Sequence, residues 1–247
     1  QAVEAGFRHI DTARGYNNEG GVGRALKQLD VARDDLFITS KVPNQDQGYD
    51  NTMRSFEGTM ADLGLDELDL YLIHWPAPSK GLALETWKAL VELKEQGRIR
   101  SIGVSNFRVE DLEQIEAETG IVPVLNQIEL HPYLLQGELS RYHASKNIVT
   151  EAWSPLGQGG GELEDPVVTK IAESHGVDAA QVLLAWNLAL GNVVITKSVT
   201  PKRIASNYAS LDLTLTSEEV EAISALDRGS SARRGPNPNE FAGHQGA

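Results

Sequence analysis

The stretch DLYLIHW, Asp69 to Trp75, decides the fold. Its apolar residues fall at successive positions rather than alternate ones, so a strand made from it is buried on both faces. Such strands belong to parallel sheets covered by helices. It is followed by ALETWKALVELKEQG, residues 83–97, an amphipathic helix closed by a glycine. A second apolar run, Ile99–Ser105, comes next. The same alternation continues outward in both directions. Strands are expected at Phe7–Ile10, Leu36–Lys41 and Leu68–His74 on one side. On the other they are expected at Val122–Ile128, Ile148–Ala152 and Val193–Thr196. Helical stretches follow the first, second and fourth strands (NEGGVGRALKQL, YDNTMRSFEGTMADLG and RVEDLEQIEAETG). PVVTKIAESHG and DAAQVLLAWNLALG lie between the sixth and seventh, and PKRIASNYASL follows the seventh. SEEVEAISALDRG is a later helix with Thr216 or Ser217 as its N-cap.

Repeated βα units without a break in composition predict one α/β domain over residues 1–247, with an irregular Gly/Pro/Ser-rich tail over 229–247. The even spacing, and the lack of GxGxxG after any strand, favour a (β/α)8 TIM-type barrel over a Rossmann sheet. Seven strands are counted where such a barrel has eight. The opening QAVEAGF reads as a chain that starts inside the helix after a first strand. The expectation is therefore an N-terminally truncated barrel lacking that strand. The open edge leaves room for strand exchange with a partner, although a monomer is expected.

Composition narrows the partners. The 247 residues are 40% hydrophobic and 23% charged, with a formal charge of −13. An acidic chain without Lys/Arg runs is a poor match for nucleic acid or an anionic membrane. No apolar run reaches the ~18 residues of a membrane span. Cysteine is absent, which removes disulfides and thiolate chemistry and is compatible with a cytoplasmic setting.

In such a barrel, chemistry collects where strands end. Those positions carry Asp11 with Tyr16 just beyond, then Lys41, then His74 and Trp75, then Ser105 and Asn106. Further along come Asn126, Gln127 and Glu129, then Trp153 with the glycine-rich run to Gly161, and then ITKSVTPKR. Singly, each has a plain reading: a turn aspartate, a surface lysine, a core histidine, a packing tryptophan. Together, ionisable groups at three successive strand ends are costly to bury without pairing. Asp11 and Lys41 on adjacent strands would pair. A phenol is a weak proton donor near neutrality, and a neighbouring ammonium favours its phenolate. Tyr16 beside Lys41, with His74 donating to a carbonyl oxygen, makes a proton donor aimed at an oxygen that gains charge. No side chain supplies hydride, so a cofactor must. Lys197 and Ser198 precede Thr200 and Pro201, an N-cap and N1 pair, and Lys202 and Arg203 follow in the first helical turn. Cations there, against the helix dipole, mark a phosphate site.

These residues resemble the aldo-keto reductases. HIDTARGYNNEGGVGRAL, ITSKV, DLYLIHWP, RSIGVSNF, NQIELHP, WSPLGQG and KSVTPKRI look like that family's motifs in that family's order, across essentially the whole chain. The short glycine-rich loop and the GPNPNEF tail are most similar to the bacterial branch that includes 2,5-diketo-D-gluconate reductases. The resemblance implies NADPH-dependent reduction of an aldehyde or ketone, with 2,5-diketo-D-gluconate, methylglyoxal and small aldehydes as candidate substrates. It implies Tyr16 as general acid, Asp11 and Lys41 as the pair that tunes it, and His74 as the residue that orients the carbonyl. Ser105, Asn106 and Gln127 would hold the nicotinamide carboxamide, and Trp153 would stack on the ring. Ser154, Leu156 and Gln158 would lie over the pyrophosphate. Lys197, Ser198 and Arg203 would clamp the 2′-phosphate, and Asn207 would meet the adenine. Trp75 would wall the substrate pocket. Ser206 stands where relatives often carry glutamate. Two other readings remain open: a catalytically weak NADPH-binding relative, and a metal-dependent hydrolase using Glu129, His131 and His74. No full metal-ligand set is evident for the latter.

Overall fold

The computed structural model describes residues 1–243, so the last four positions of the expected tail lie outside the described residues. Among the described residues the strands are β1 (His9–Asp11), β2 (Phe37–Val42), β3 (Leu68–Ile73), β4 (Ile99–Ser105), β5 (Leu125–Glu129), β6 (Val149–Trp153) and β7 (Val193–Val194). The helices are α1 (Glu19–Leu26), α2 (Tyr49–Leu63), α3 (Ala83–Glu95), α4 (Val109–Thr119), α5 (Gly137–Lys146), α6 (Pro166–His175), α7 (Ala179–Ala189), α8 (Pro201–Tyr208) and α9 (Ser217–Ser224). The strands follow chain order across one seven-stranded sheet. This is the α/β architecture of a (β/α)8-type barrel with one strand fewer. No described helix is long and apolar enough to cross a membrane.

The chain divides into two compact units, Arg8–Asn126 with Asn237–Ala247, and Gln127–Pro236 with Gln1–Phe7. In the first, β1 to β4 pair in parallel. All six positions of β3 are buried, five of them apolar and the sixth Asp69, whose carboxylate accepts from Arg33 at 2.6 Å and the Ile38 N–H at 2.8 Å. Phe56 of α2 packs edge-on against Tyr71, with ring centroids 5.3 Å apart. Trp87 of α3 is fully buried, and its indole N–H donates to Thr119 Oγ1 at 3.3 Å. In the second unit β6 and β7 pair in parallel. Its core gathers Ile128, Leu130, Ala152, Leu183 and Trp186, and the Trp186 indole donates to Ser224 Oγ at 3.0 Å. Thr216 caps α9 and accepts from the Glu219 N–H at 3.2 Å, while the Glu219 carboxylate accepts from the Thr216 N–H at 2.8 Å. This reciprocal capping box singles out Thr216 over Ser217.

Three expectations are corrected. QAVEAGF is not helical. The Ala5 N–H donates to the Gln1 carbonyl at 2.9 Å and the Gly6 N–H to that of Val3 at 3.1 Å, but Gly6 sits at φ 116°, which a helix does not accommodate. The seventh strand stops at Val194 rather than Thr196, because the chain must leave the sheet to reach Pro201 at the start of α8. Helix α5 was not anticipated. It starts after Gln136 at φ 49° without a side-chain cap, and among its residues only His143 is buried, so it carries little apolar periodicity.

Candidate active site

The period-2 alternation of a strand builds the acid–base cluster within the first unit. Asp11 pairs in register with Thr39, which places Lys41, two residues on, on the same face. Lys41 is fully buried and spends its three N–H donors locally. They go to Asp11 Oδ1 at 2.7 Å, Asp11 Oδ2 at 2.6 Å and the Thr12 carbonyl at 3.0 Å. After β1 the chain makes a 3-10 turn over Arg14–Tyr16. This carries the Tyr16 ring over Lys41, whose Nζ lies 5.2 Å from the ring centroid. His74 follows β3 directly, and its N–H donates to the Val42 carbonyl at 3.2 Å. Its ring meets that of Tyr16 edge-on, 5.5 Å between centroids. Burial first, and Lys41 second, push the His74 imidazole down to about 3. It is therefore neutral near pH 7, with one ring N–H to donate. Tyr16 is 47% exposed, open to an incoming molecule.

Ser105 ends β4 and is buried with Asn106. Asn106 adopts φ 61°, a left-handed conformation that Asn tolerates. Its amide donates to the His74 carbonyl at 3.1 Å and to Ser105 Oγ at 2.9 Å. Trp75 is only 8% exposed, and Phe241 of the tail packs on it, 4.6 Å between centroids.

In the second unit, Gln127 of β5 donates to Glu151 Oε2 at 2.5 Å. Trp153 ends β6. The loop beyond it turns through two left-handed non-glycine residues, Ser154 at φ 54° and Gln158 at φ 51°, and the Gln158 amide donates to Ser154 Oγ. Leu156 instead packs against the apolar core. Thr200 and Pro201 occupy the N-cap and N1 of α8, as expected, although the threonine side chain does not cap. Ser198 Oγ accepts from the Thr200 N–H at 3.1 Å. Lys197, Lys202 and Arg203 are exposed. No acid stands in the first turn of α8. Exposed cations beside free backbone N–H groups form a donor set that fits a phosphate. Asn207 is buried, and Ser206 Oγ donates to Asp178 Oδ2 at 3.1 Å.

The first unit also holds supports that the sequence reading missed. Glu19 in the first turn of α1 is 3% exposed. It accepts from Ser40 Oγ at 2.5 Å and Thr59 Oγ1 at 3.2 Å. Arg14, two residues before Tyr16, lies 3.6 Å from Glu19 and 3.7 Å from Asp46. Arg14 and Glu19 both lie in the RHIDTARGYNNE segment, but an arginine and a first-turn glutamate read as ordinary solvated charges. Only Ile38 and Val42, two positions either side of Ser40, and Phe56 and Leu63, one helical turn either side of Thr59, hint at burial.

The chain belongs to the aldo/keto reductase family, which it matches over residues 1–228. Members of that family are NADP-dependent oxidoreductases acting on carbonyl groups. It is 53% identical over 240 residues to an aldo-keto reductase of Mycolicibacterium smegmatis, covering 97% of this chain and 86% of that one. It is 45% identical over 244 residues to methylglyoxal reductase DkgA of Escherichia coli, covering 98% and 87%. Among solved structures it resembles a variant of Gox0644 in complex with NADPH, at 49% identity and a TM-score of 0.92, covering 96% of this chain and 86% of that one.

Proposed function

We propose that this chain reduces a small aldehyde or dicarbonyl, of which methylglyoxal is the leading candidate, to an alcohol at the expense of NADPH. The observation that carries the reading is Lys41, buried against Asp11 beneath the exposed ring of Tyr16, with His74 at the ring's edge. When bound, NADPH supplies the hydride. Tyr16 donates its hydroxyl proton to the carbonyl oxygen. Lys41 stabilises the phenolate that remains, and Asp11 holds Lys41 in place and charged. His74, neutral, donates an N–H to the same oxygen and orients it. The resemblance assigns the carboxamide to Ser105, Asn106 and Gln127 and the face of the nicotinamide to Trp153. Ser154, Leu156 and Gln158 belong to the loop over the pyrophosphate. Lys197, Ser198 and Arg203 hold the 2′-phosphate, and Asn207 contacts adenine. Phe241, covering Trp75, shapes the substrate wall.

The relatives named as methylglyoxal reductases support the substrate class. The test is NADPH consumption against methylglyoxal, 2,5-diketo-D-gluconate and aromatic aldehydes in parallel. A kcat/KM for methylglyoxal below that for every other compound would remove the substrate assignment. NADPH binding without turnover of any of them would remove the enzymatic reading.

A further inference from the structure

The glycine-rich loop after β6 is fastened by buried charges that the proposed reaction does not use. Glu129, His131 and Glu162 are each 0% exposed. The His131 ring stands between the two carboxylates, with Nε2 3.2 Å from Glu129 Oε1 and Nδ1 3.1 Å from Glu162 Oε1. Buried ionisable groups are costly unless they are paired and hydrogen-bonded. Here the tail completes the pairing. The Arg234 N–H donates to Glu129 Oε1 at 2.5 Å and the Gly235 N–H to Glu129 Oε2 at 3.0 Å. Burial pushes the Glu129 carboxyl up, but the bonds from His131, Arg234 and Gly235 outweigh it and hold the group below its usual range. The Arg234 guanidinium then reaches the loop itself. It donates to the Gly160 carbonyl at 3.2 Å and to Glu162 Oε1 at 3.4 Å.

The Arg234 and Glu162 side chains lie close over the loop glycines. A β-carbon on Gly160 would fall 1.8 Å from Arg234 Nη2, and one on Gly157 would fall 2.0 Å from the Glu162 carboxyl carbon. A β-carbon on Gly235 would fall 2.4 Å from Trp153 Cη2. The tail therefore braces the loop through Arg234 and meets the Trp153 ring through Gly235.

We propose that Arg234 is a positioning residue for the cofactor, holding loop 157–161 in its binding arrangement through Glu162 and Gly160. A glycine-rich loop loses much conformational freedom when it orders. A loop already ordered by Arg234 spares cofactor binding that cost. The inference rests on the reading of this loop as the NADPH pyrophosphate cover.

The test pairs a readout without cofactor and one with it. Amide hydrogen exchange of residues 154–162 is measured in the cofactor-free protein, and NADPH dissociation is followed by stopped-flow fluorescence. In Arg234→Ala, exchange in the loop accelerates and NADPH leaves about tenfold faster, as expected for loss of a charged hydrogen bond. The KM for NADPH rises while that for the carbonyl does not. Arg234→Lys recovers part of the loss, and Glu162→Gln, which keeps shape and drops charge, reproduces it. These two variants carry the test if Arg234→Ala fails to fold. Unchanged loop exchange overturns the brace. Faster exchange with unchanged NADPH release overturns the link to the cofactor. A parent chain that binds no NADPH, with the exchange result intact, overturns the cofactor reading instead.

Discussion

Lys41 donates to both carboxylate oxygens of Asp11, at 2.7 and 2.6 Å, from a position with no solvent exposure. Removing one partner of a buried pair strands the other charge, at a cost of roughly 3–5 kcal/mol. Asp11→Asn should therefore lower both turnover and stability. Asp11→Asn combined with Lys41→Met removes both charges and should recover much of the stability but none of the activity. Chemical denaturation of the three proteins checks this. A double variant no more stable than Asp11→Asn alone would contradict it.

Tyr16 is half exposed and makes no core contact that its hydroxyl secures. Tyr16→Phe should change stability by no more than about 0.5 kcal/mol, leave NADPH affinity near that of the parent, and lower kcat by several orders of magnitude. Reduction at the parent's rate by the Phe variant would show that another group is the acid.

Arg203 lies exposed in a first helical turn that contains no acid. If it binds the extra phosphate, Arg203→Ala should weaken NADPH by about tenfold or more and NADH hardly at all. Titration of both cofactors decides the matter, and equal losses would end the phosphate-clamp assignment.

His143 and His74 are both held neutral by burial, His143 at about 4 and His74 at about 3, against an ordinary 6.5. Both take up protons more readily when unfolded. Their contribution to stability is thus complete above pH 6.5 and is lost as the pH falls through the 6.5-to-3 window. The melting temperature should fall on acidification across that range. His143→Gln should flatten the slope between pH 6.5 and 4. An unchanged slope would show that His143 is not the titrating group.

The strands from β2 to β4 were legible because apolar runs such as Leu70–Ile73 have no other stable home, and β1, only His9–Asp11, was placed by the repeat of βα units. Helix α5 was not, since its polar sequence gains little from burial. The Asp11, Lys41 and His74 cluster could be read from strand ends alone, because charges there must answer one another. Glu129 and His131 were legible only as members of a metal-ligand alternative, because their partner Glu162 lies some 31 residues beyond His131 and Arg234 arrives from the tail. Most of the cofactor residues were readable only by resemblance. Ser154, Leu156 and Asn207 have side chains whose chemistry is unremarkable until a ligand is placed beside them.

An enzyme that acts on carbonyl groups works among reagents that attack its own amines, since aldehydes and ketones condense with an unprotonated lysine. Lys41 offers them nothing. Its nitrogen is sealed from solvent, and all three of its hydrogens are engaged by Asp11 and Thr12. The ion pair thus also keeps Lys41 from condensing with a carbonyl compound, a protection that exposed lysines such as Lys197 and Lys202 do not have.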